Sequence, residues 1–70
     1  MLVYQKVKQY LKDNGIRQSF VAEKCSISLP VFNAMLNGKR KMYAEDLRLI
    51  CYALSVPPEV FMEFHSGKNV

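Results

Sequence analysis

The chain has 70 residues, of which half are hydrophobic and 23% are charged, and its formal net charge is +4. This length allows a single domain with a modest core, and the composition is that of a globular chain rather than a disordered one. No apolar run approaches the roughly 20 residues of a membrane span, and the opening residues form an amphipathic pattern rather than a signal peptide, so we expect a soluble, cytoplasmic protein.

The first helical pattern covers the opening of the chain. Its apolar positions recur at steps of three and four, and they are Val3, Val7, Tyr10 and Leu11. This spacing places them on one face of a helix. Asn14-Gly15 ends the helix, because glycine is the usual residue for a left-handed stop.

Two more helices follow, separated by a short turn at residues 26–28. The second is predicted from about residue 18 to 25, and the third continues to about residue 36, where Asn37-Gly38 stops it. Pro30 disfavours a helical conformation at the residue before it, which predicts that the third helix begins one residue late. The positions expected to face the core are Val21, Ala22, Cys25, Phe32, Met35 and Leu36.

The last part of the chain contains two further helical patterns. A fourth helix is predicted from about residue 44 to 54, with acidic residues in its first turn that complement the helix dipole. Its apolar stripe is formed by Leu47, Ile50, Cys51 and Leu54. Pro58 can open a fifth helix, because proline is favoured at the first helical position. The apolar side of that helix is formed by Val60, Phe61 and Phe64.

No segment alternates with a period of two over a useful length, so the sequence predicts no strand. The expected fold class is all-α, with five short helices joined by tight turns in one compact domain. We expect this domain to span residues 1–65 and residues 66–70 to form a flexible C-terminal tail.

The second and third helices have the geometry of a helix-turn-helix, in which a turn of three to four residues lays the second helix in the major groove of DNA. Ala22 is small where the two helices cross, and Ile27 in the turn can fill the gap between them. Phe32 and Met35 then hold the second helix of the motif against the core. The residues left on its outward side are Leu29, Pro30, Asn33, Ala34 and Asn37.

Two runs carry a resemblance to a known family. The run GIRQSFVAEKCSIS at 15–28, followed by LNGKR at 36–40, resembles the lambda-repressor/Cro (XRE-type) family of helix-turn-helix DNA-binding regulators. The segment 47–61 is similar to the fourth and fifth helices of the same family. The resemblance implies a compact five-helix lambda-repressor-like domain of bacterial, phage or mobile-element origin.

The resemblance also implies which residues read DNA bases. The positions that face base edges are Leu29, Pro30, Asn33 and Ala34. The three apolar residues cannot make the bidentate hydrogen bonds that read guanine or adenine, but they can meet thymine methyl groups. Asn33 can both donate and accept, which is what adenine requires. The simpler alternative is an inert residue on an exposed helix face.

Phosphate contacts are implied at positions that flank these residues. Gln18 matches a glutamine that opens the second helix and grips a phosphate, and Asn37 matches a phosphate-contacting asparagine. The full expected set is Arg17, Gln18, Ser28, Asn37, Lys39, Arg40 and Lys41. Arg17 stands where the family often has a capping threonine, so that cap is missing or replaced. The alternatives are that Asn37-Gly38 is only a helix stop and that 39–41 is only a solvated loop.

Other candidate residues have simple structural interpretations. Cys25 and Cys51 lie far apart among apolar residues, which favours two reduced buried thiols over a disulfide or a redox switch. Phe20 stands where the family tends to place a polar residue, and packing against the first helix is favoured over a partner site. His65 has no matched acid or nucleophile nearby, and no zinc spacing is present. We therefore expect no catalytic activity, metal or cofactor, and no small-molecule ligand is evident.

These observations favour a DNA-binding transcriptional regulator, and a repressor before an activator. The chain ends soon after the fifth helix, so we expect no effector domain. The alternative is a protein-interaction module, such as an antitoxin or antirepressor-like factor, which the apolar recognition positions and Phe20 favour modestly.

The C-terminal helix suggests a homodimer. Four large apolar residues fall within five positions, and one short helix cannot bury all of them in its own core. If Phe61 points inward, the residues left for a dimer interface are Val60, Met62 and Phe64. The resemblance implies the same contact, which would require a near-palindromic operator. The alternative is that these residues close the base of a monomer.

Overall fold

A computed structural model describes residues 2–62. It contains four α-helices, which are α1 (Val3–Asp13), α2 (Gln18–Lys24), α3 (Leu29–Leu36) and α4 (Ala44–Leu54). They confirm the first four predicted helices, and no strand is present within residues 2–62. The predicted count of five helices is not confirmed, because the chain forms a 3₁₀ turn at Pro58–Val60 where the fifth was expected to begin. Phe64 and the predicted tail 66–70 lie outside the described residues.

The first turns of α1 and α4 are stabilised by side chains that accept backbone N–H bonds. The Oε1 atom of Gln5 accepts from the N–H of Leu2 at 2.8 Å, and Oδ2 of Asp46 accepts from the N–H of Tyr43 at 2.9 Å. Each bond supplies a partner for a backbone donor that a helix start leaves unsatisfied. The start of α4 is therefore fixed a few residues after the basic segment 39–41.

All four helices end with the same backbone arrangement, in which the N–H of a residue beyond the helix donates to the carbonyl oxygen five residues earlier, in the last turn. The donor–acceptor pairs are Ile16–Leu11, Ile27–Ala22, Lys39–Ala34 and Val56–Cys51, at 2.8 to 3.0 Å. Gly15 and Gly38 adopt the positive φ that this ending requires, as predicted. Ser26 and Ser55 adopt it as well, and the sequence reasoning did not single them out.

One apolar core lies between the helices, and α3 crosses both α1 and α2 while α4 packs against α2 and the 3₁₀ turn. The completely or almost completely buried side chains are Val7, Leu11, Val21, Ala22, Phe32, Met35, Leu36, Ile50, Cys51 and Phe61. Ile27 packs against them from the turn, as predicted. The first apolar position, Val3, follows the same spacing but is exposed, next to the segment that carries Gly38 and Met42.

The start of α3 differs from the sequence expectation. The helix begins at Leu29, not one residue later, and Ser28 is its N-terminal capping residue. Pro30 lies in the first turn, where its missing N–H has no partner within the helix in any case. The conformational preference at Leu29 is thus overridden, and the complete first turn of α3 is formed.

Cys25 and Cys51 are free, buried thiols, in agreement with the favoured interpretation. Burial raises the pKa of both, and the nearby carboxylates of Asp46 and Glu59 raise the pKa of Cys25 and Cys51 respectively. Because the thiolate is the reactive form, both cysteines are held in the unreactive form at neutral pH.

Candidate nucleic-acid interface

Helix α3 has one buried face and one open face. Phe32, Met35 and Leu36 are buried, which confirms the predicted core side of the helix. Leu29 is 44% exposed, and Pro30 and Asn33 are also exposed. Ala34 is half-buried. Of the residues predicted to face bases, Leu29, Pro30 and Asn33 are therefore exposed to solvent, and Ala34 is partly exposed.

Asn33 connects the open face of α3 to the start of α2. Its Nδ2 group donates to Oε1 of Gln18 at 3.0 Å. Within residues 2–62, the Nε2 group of Gln18 has no hydrogen-bond partner. The amide of Gln18 thus keeps both of its N–H donors available for an acceptor outside the protein.

Asn37 occupies the end of the same helix and is more constrained. Its Nδ2 group donates to the backbone oxygen of Asn33 at 2.9 Å and to Oδ1 of Asn33 at 3.2 Å. Its Oδ1 atom accepts a hydrogen bond from Nζ of Lys8 in α1. These bonds account for both N–H donors of the Asn37 amide. A phosphate contact from this side chain therefore requires one of them to be exchanged.

The basic segment Lys39-Arg40-Lys41 is exposed and is anchored at both ends. The backbone N–H groups of Lys39 and Arg40 donate to the oxygen of Ala34, at 2.9 and 3.3 Å. The ammonium of Lys41 lies 5.3 Å from the ring centre of Tyr43, in cation–π range. The three cations are thus held next to the C-terminal end of α3.

Tyr4 of α1 sets the position of this segment from the other side. A Cβ atom placed on Gly38 would lie 2.5 Å from the hydroxyl oxygen of Tyr4, so the tyrosine ring rests directly on the glycine backbone. Glycine is required at this position both for its φ of +74° and for this close approach. Helix α1 consequently supports the turn that leads from α3 into the basic segment.

The two residues that precede the helices of the motif have no side-chain hydrogen-bond partner within residues 2–62. Arg17 caps α2 and Ser28 caps α3, and neither side chain makes a capping hydrogen bond. This agrees with the missing cap predicted at Arg17. Both residues are exposed, so the guanidinium and the hydroxyl remain available to a ligand.

The sequence of the chain matches a known family model. Residues 6–66 match the model of the Cro/C1-type HTH DNA-binding domain, which covers most of the chain. The chain belongs to this family. The resemblance predicted from the sequence is thereby confirmed, and DNA binding is the activity of the family. No curated protein and no solved structure was found to match the chain.

Two contacts of this Cro/C1-type domain were missed by the sequence reasoning. Lys8 reaches Asn37, which is 29 residues away, and Tyr4 rests on Gly38. Both side chains come from α1, which had been assigned only a core-forming role. No sequence signal indicates these contacts, because lysine and tyrosine on a helix surface are common.

Among the apolar residues beyond α4, one is buried and two are exposed within residues 2–62. Phe61 is buried, and its ring meets that of Tyr10 edge to face at 5.4 Å between the ring centres. Val60 and Met62 remain 45% and 40% exposed.

Phe20 was expected to pack against the first helix, but it is 48% exposed with the ammonium of Lys24 over its ring. It faces solvent because it lies on the side of α2 opposite the buried Val21 and Ala22.

Within the described residues 2–62, no helix is both long and apolar enough to cross a membrane. The same part of the chain contains no group of three or more histidine, cysteine or acidic side chains that could hold a metal ion.

Proposed function

We propose that this Cro/C1-type domain recognises a specific double-stranded DNA sequence by placing α3 in the major groove, and that it acts as a transcriptional repressor. The observation that carries the proposal is the open face of α3, where an amide with free hydrogen-bonding capacity stands among apolar side chains. We expect this activity in the cytoplasm of a bacterium or in the context of a phage or mobile element, as the resemblance to lambda-repressor/Cro regulators implies.

Base reading is assigned to the outward residues of α3. Asn33 uses one N–H toward Gln18 and one acceptor position toward Asn37, so one donor and one acceptor remain. This is the pair that reads the N7 and N6 atoms of adenine. Sequence choice elsewhere is assigned to thymine methyl contacts and to DNA shape. The residues proposed for those contacts are Leu29, Pro30 and Ala34.

Phosphate contacts are assigned around this face, where they position the protein without reading sequence. The free Nε2 group of Gln18 and the unused hydroxyl of Ser28 are suitable donors near the two helix starts. Charge comes from side chains at the start of α2 and after α3. The complete proposed set is Arg17, Gln18, Ser28, Asn37, Lys39, Arg40 and Lys41.

Selection of bound sequences from a pool of random duplexes tests this proposal. We expect recovery of one related set of sites, together with weaker, salt-sensitive binding to unselected DNA. The rival function is a protein-interaction module, which the half-exposed Phe20 and Leu29 favour. Binding to random duplex that is absent at low salt would support that rival and contradict ours.

Substituting Asn33 by alanine should reduce discrimination at one operator position by roughly 1–3 kcal/mol, because a paired donor and acceptor to one base are lost. The measurement is the ratio of affinities for the selected duplex and for duplexes with single base-pair changes. Ser19→Ala, on the exposed side of α2, is the matched control and should leave these ratios unchanged. An equal loss on selected and random DNA would instead assign Asn33 to the DNA backbone.

We further propose that the domain binds as a homodimer through the exposed apolar residues near its C-terminal end, Val60 and Met62, together with Phe64. A two-fold dimer would place two copies of α3 about 34 Å apart on a near-palindromic site. One recognition helix covers only a few base pairs, which limits how well a monomer selects a site in a genome.

Met62→Asp should weaken assembly of two chains on a palindromic duplex, because a charge at an apolar contact remains desolvated and unpaired. Sedimentation with and without DNA gives the stoichiometry. Tyr52→Asp is the control, since Tyr52 is 84% exposed on α4 and lies outside the proposed contact. The dimer is contradicted if wild-type protein forms a one-to-one complex, or if Met62→Asp still binds two-to-one with full cooperativity.

A further inference from the structure

Four polar side chains from three helices form one continuous chain of hydrogen bonds. Lys8 of α1 donates to Asn37, Asn37 donates to Asn33, and Asn33 donates to Gln18 at the start of α2. Three of these residues, Asn37, Asn33 and Gln18, are assigned above to DNA contacts. Lys8 itself belongs to none of the proposed contact sets.

The donor-to-acceptor direction of this series of hydrogen bonds is determined by groups that can only donate or only accept. An ammonium group only donates, so Lys8 requires the Oδ1 atom of Asn37 to face it. A backbone carbonyl only accepts, so the oxygen of Asn33 requires the Nδ2 group of Asn37. With the Asn37 amide fixed between these two groups, its second N–H points at Oδ1 of Asn33.

The same donor-to-acceptor direction determines which atom of Gln18 faces Asn33. Because Oδ1 of Asn33 accepts from Asn37, its Nδ2 group is the atom that faces Gln18, and Oε1 of Gln18 turns inward to accept. The Nε2 group of Gln18 is then the outward atom. A phosphate oxygen accepts hydrogen bonds, so this orientation presents the group that a phosphate needs, whereas the reversed amide would present an oxygen.

We propose that Lys8 is a positioning residue for DNA recognition. It fixes the orientation of Asn37 and, through it, of Asn33 and Gln18 before DNA arrives. This inference rests on the proposed function. Its physical advantage is preorganisation, since long exposed side chains otherwise lose rotamer freedom when they bind. A charge-assisted bond from an ammonium is also stronger than one between neutral amides.

A variant pair on α1 separates positioning from loss of positive charge. Lys8→Met removes the ammonium that faces Asn37. Lys12→Met removes the same charge one turn further along the same helix, from the groove that Lys8 and Asn37 also line, but Lys12 makes no hydrogen bond to Asn37, Asn33 or Gln18. Lys8→Arg keeps a charged group that only donates and should restore the wild-type behaviour.

The first measurement uses the free protein. Nuclear magnetic resonance of the side-chain amides should show faster exchange with water at Asn37 and Asn33 in Lys8→Met. The same signals should be unchanged in Lys12→Met and close to wild type in Lys8→Arg. Unchanged amide exchange in Lys8→Met would overturn the proposal, because Lys8 would then not hold the chain.

The second measurement is affinity for the selected duplex. Lys8→Met should bind about three- to tenfold more weakly than Lys12→Met, and this difference should disappear in a Gln18→Ala background, because the two residues act through one network. Equal losses in the two methionine variants, or additive effects of Lys8 and Gln18, would overturn the positioning role and leave Lys8 as an ordinary charge near phosphate. Wild-type protein that selects no duplex would instead overturn the proposed function itself.

Discussion

Replacing Phe32 by alanine is expected to lower the protein's free energy of unfolding by about 3–5 kcal/mol. Phe32 is completely buried at the centre of α3, where α1 and α2 meet the helix. Truncating a buried phenylalanine costs about 3–5 kcal/mol, from lost burial and from the cavity that remains. A domain of 70 residues has a free energy of unfolding of roughly 3.5–10 kcal/mol, so the substitution removes a large part of it.

Thermal and urea denaturation followed by circular dichroism measures this effect. Leu29→Ala is the matched control, since Leu29 lies in the same helix and is 44% exposed. It should change stability by well under the Phe32 effect while altering operator affinity. A folded Phe32→Ala variant with a loss below about 1 kcal/mol would contradict the packing of α3 described above.

Changing Lys39 and Lys41 together to alanine is expected to weaken binding to every duplex alike. The two ammonium groups lie in the exposed segment that directly follows α3, and backbone bonds to Ala34 hold that segment in place. Each lost phosphate contact reduces the slope of log affinity against log salt by about 0.9, so the double variant should flatten it by about 1.8. Discrimination between selected and altered sites should be preserved.

The control removes two positive charges from elsewhere on the molecule. Lys24→Ala with Arg48→Ala changes the net charge equally, on exposed positions of α2 and α4 outside the proposed contacts. Arg48 is paired with Glu45, and its hydrogen bond lowers the pKa of that carboxyl group. A salt slope that is unchanged by the Lys39 and Lys41 substitutions would show that this segment faces away from DNA.

Local signals in the sequence were sufficient for the four helices. The three-and-four spacing of apolar residues predicted the buried faces of α2 and α3, and Gly15 and Gly38 marked two helix ends. These features depend on residues within a few positions of one another, so they can be read without knowledge of the fold. The order of the motifs was also sufficient for the family, which the match over residues 6–66 confirms.

Tertiary structure decided the backbone conformations and side-chain exposures that depend on residues far away in the sequence. Ser26 and Ser55 adopt the left-handed conformation because the chain must turn there to bring the next element onto the core, although serine has no preference for it. Val3 is exposed, against its apolar spacing, although Val7 on the same helix is completely buried. Phe20 likewise faces solvent, because it lies opposite the buried face of α2.

The candidate DNA-binding surface was likewise determined partly by the local sequence and partly by the tertiary structure. The sequence by itself determined which residue types stand at the outward positions of α3, because a helix has a fixed periodicity. Only the tertiary structure brought Lys8 to Asn37 and Tyr4 onto Gly38, since these contacts join segments about 30 residues apart. The orientation of the amides of Asn37, Asn33 and Gln18 follows from the bonds that Asn37 makes to Lys8 and to the backbone of Asn33, because an ammonium can only donate and a carbonyl can only accept.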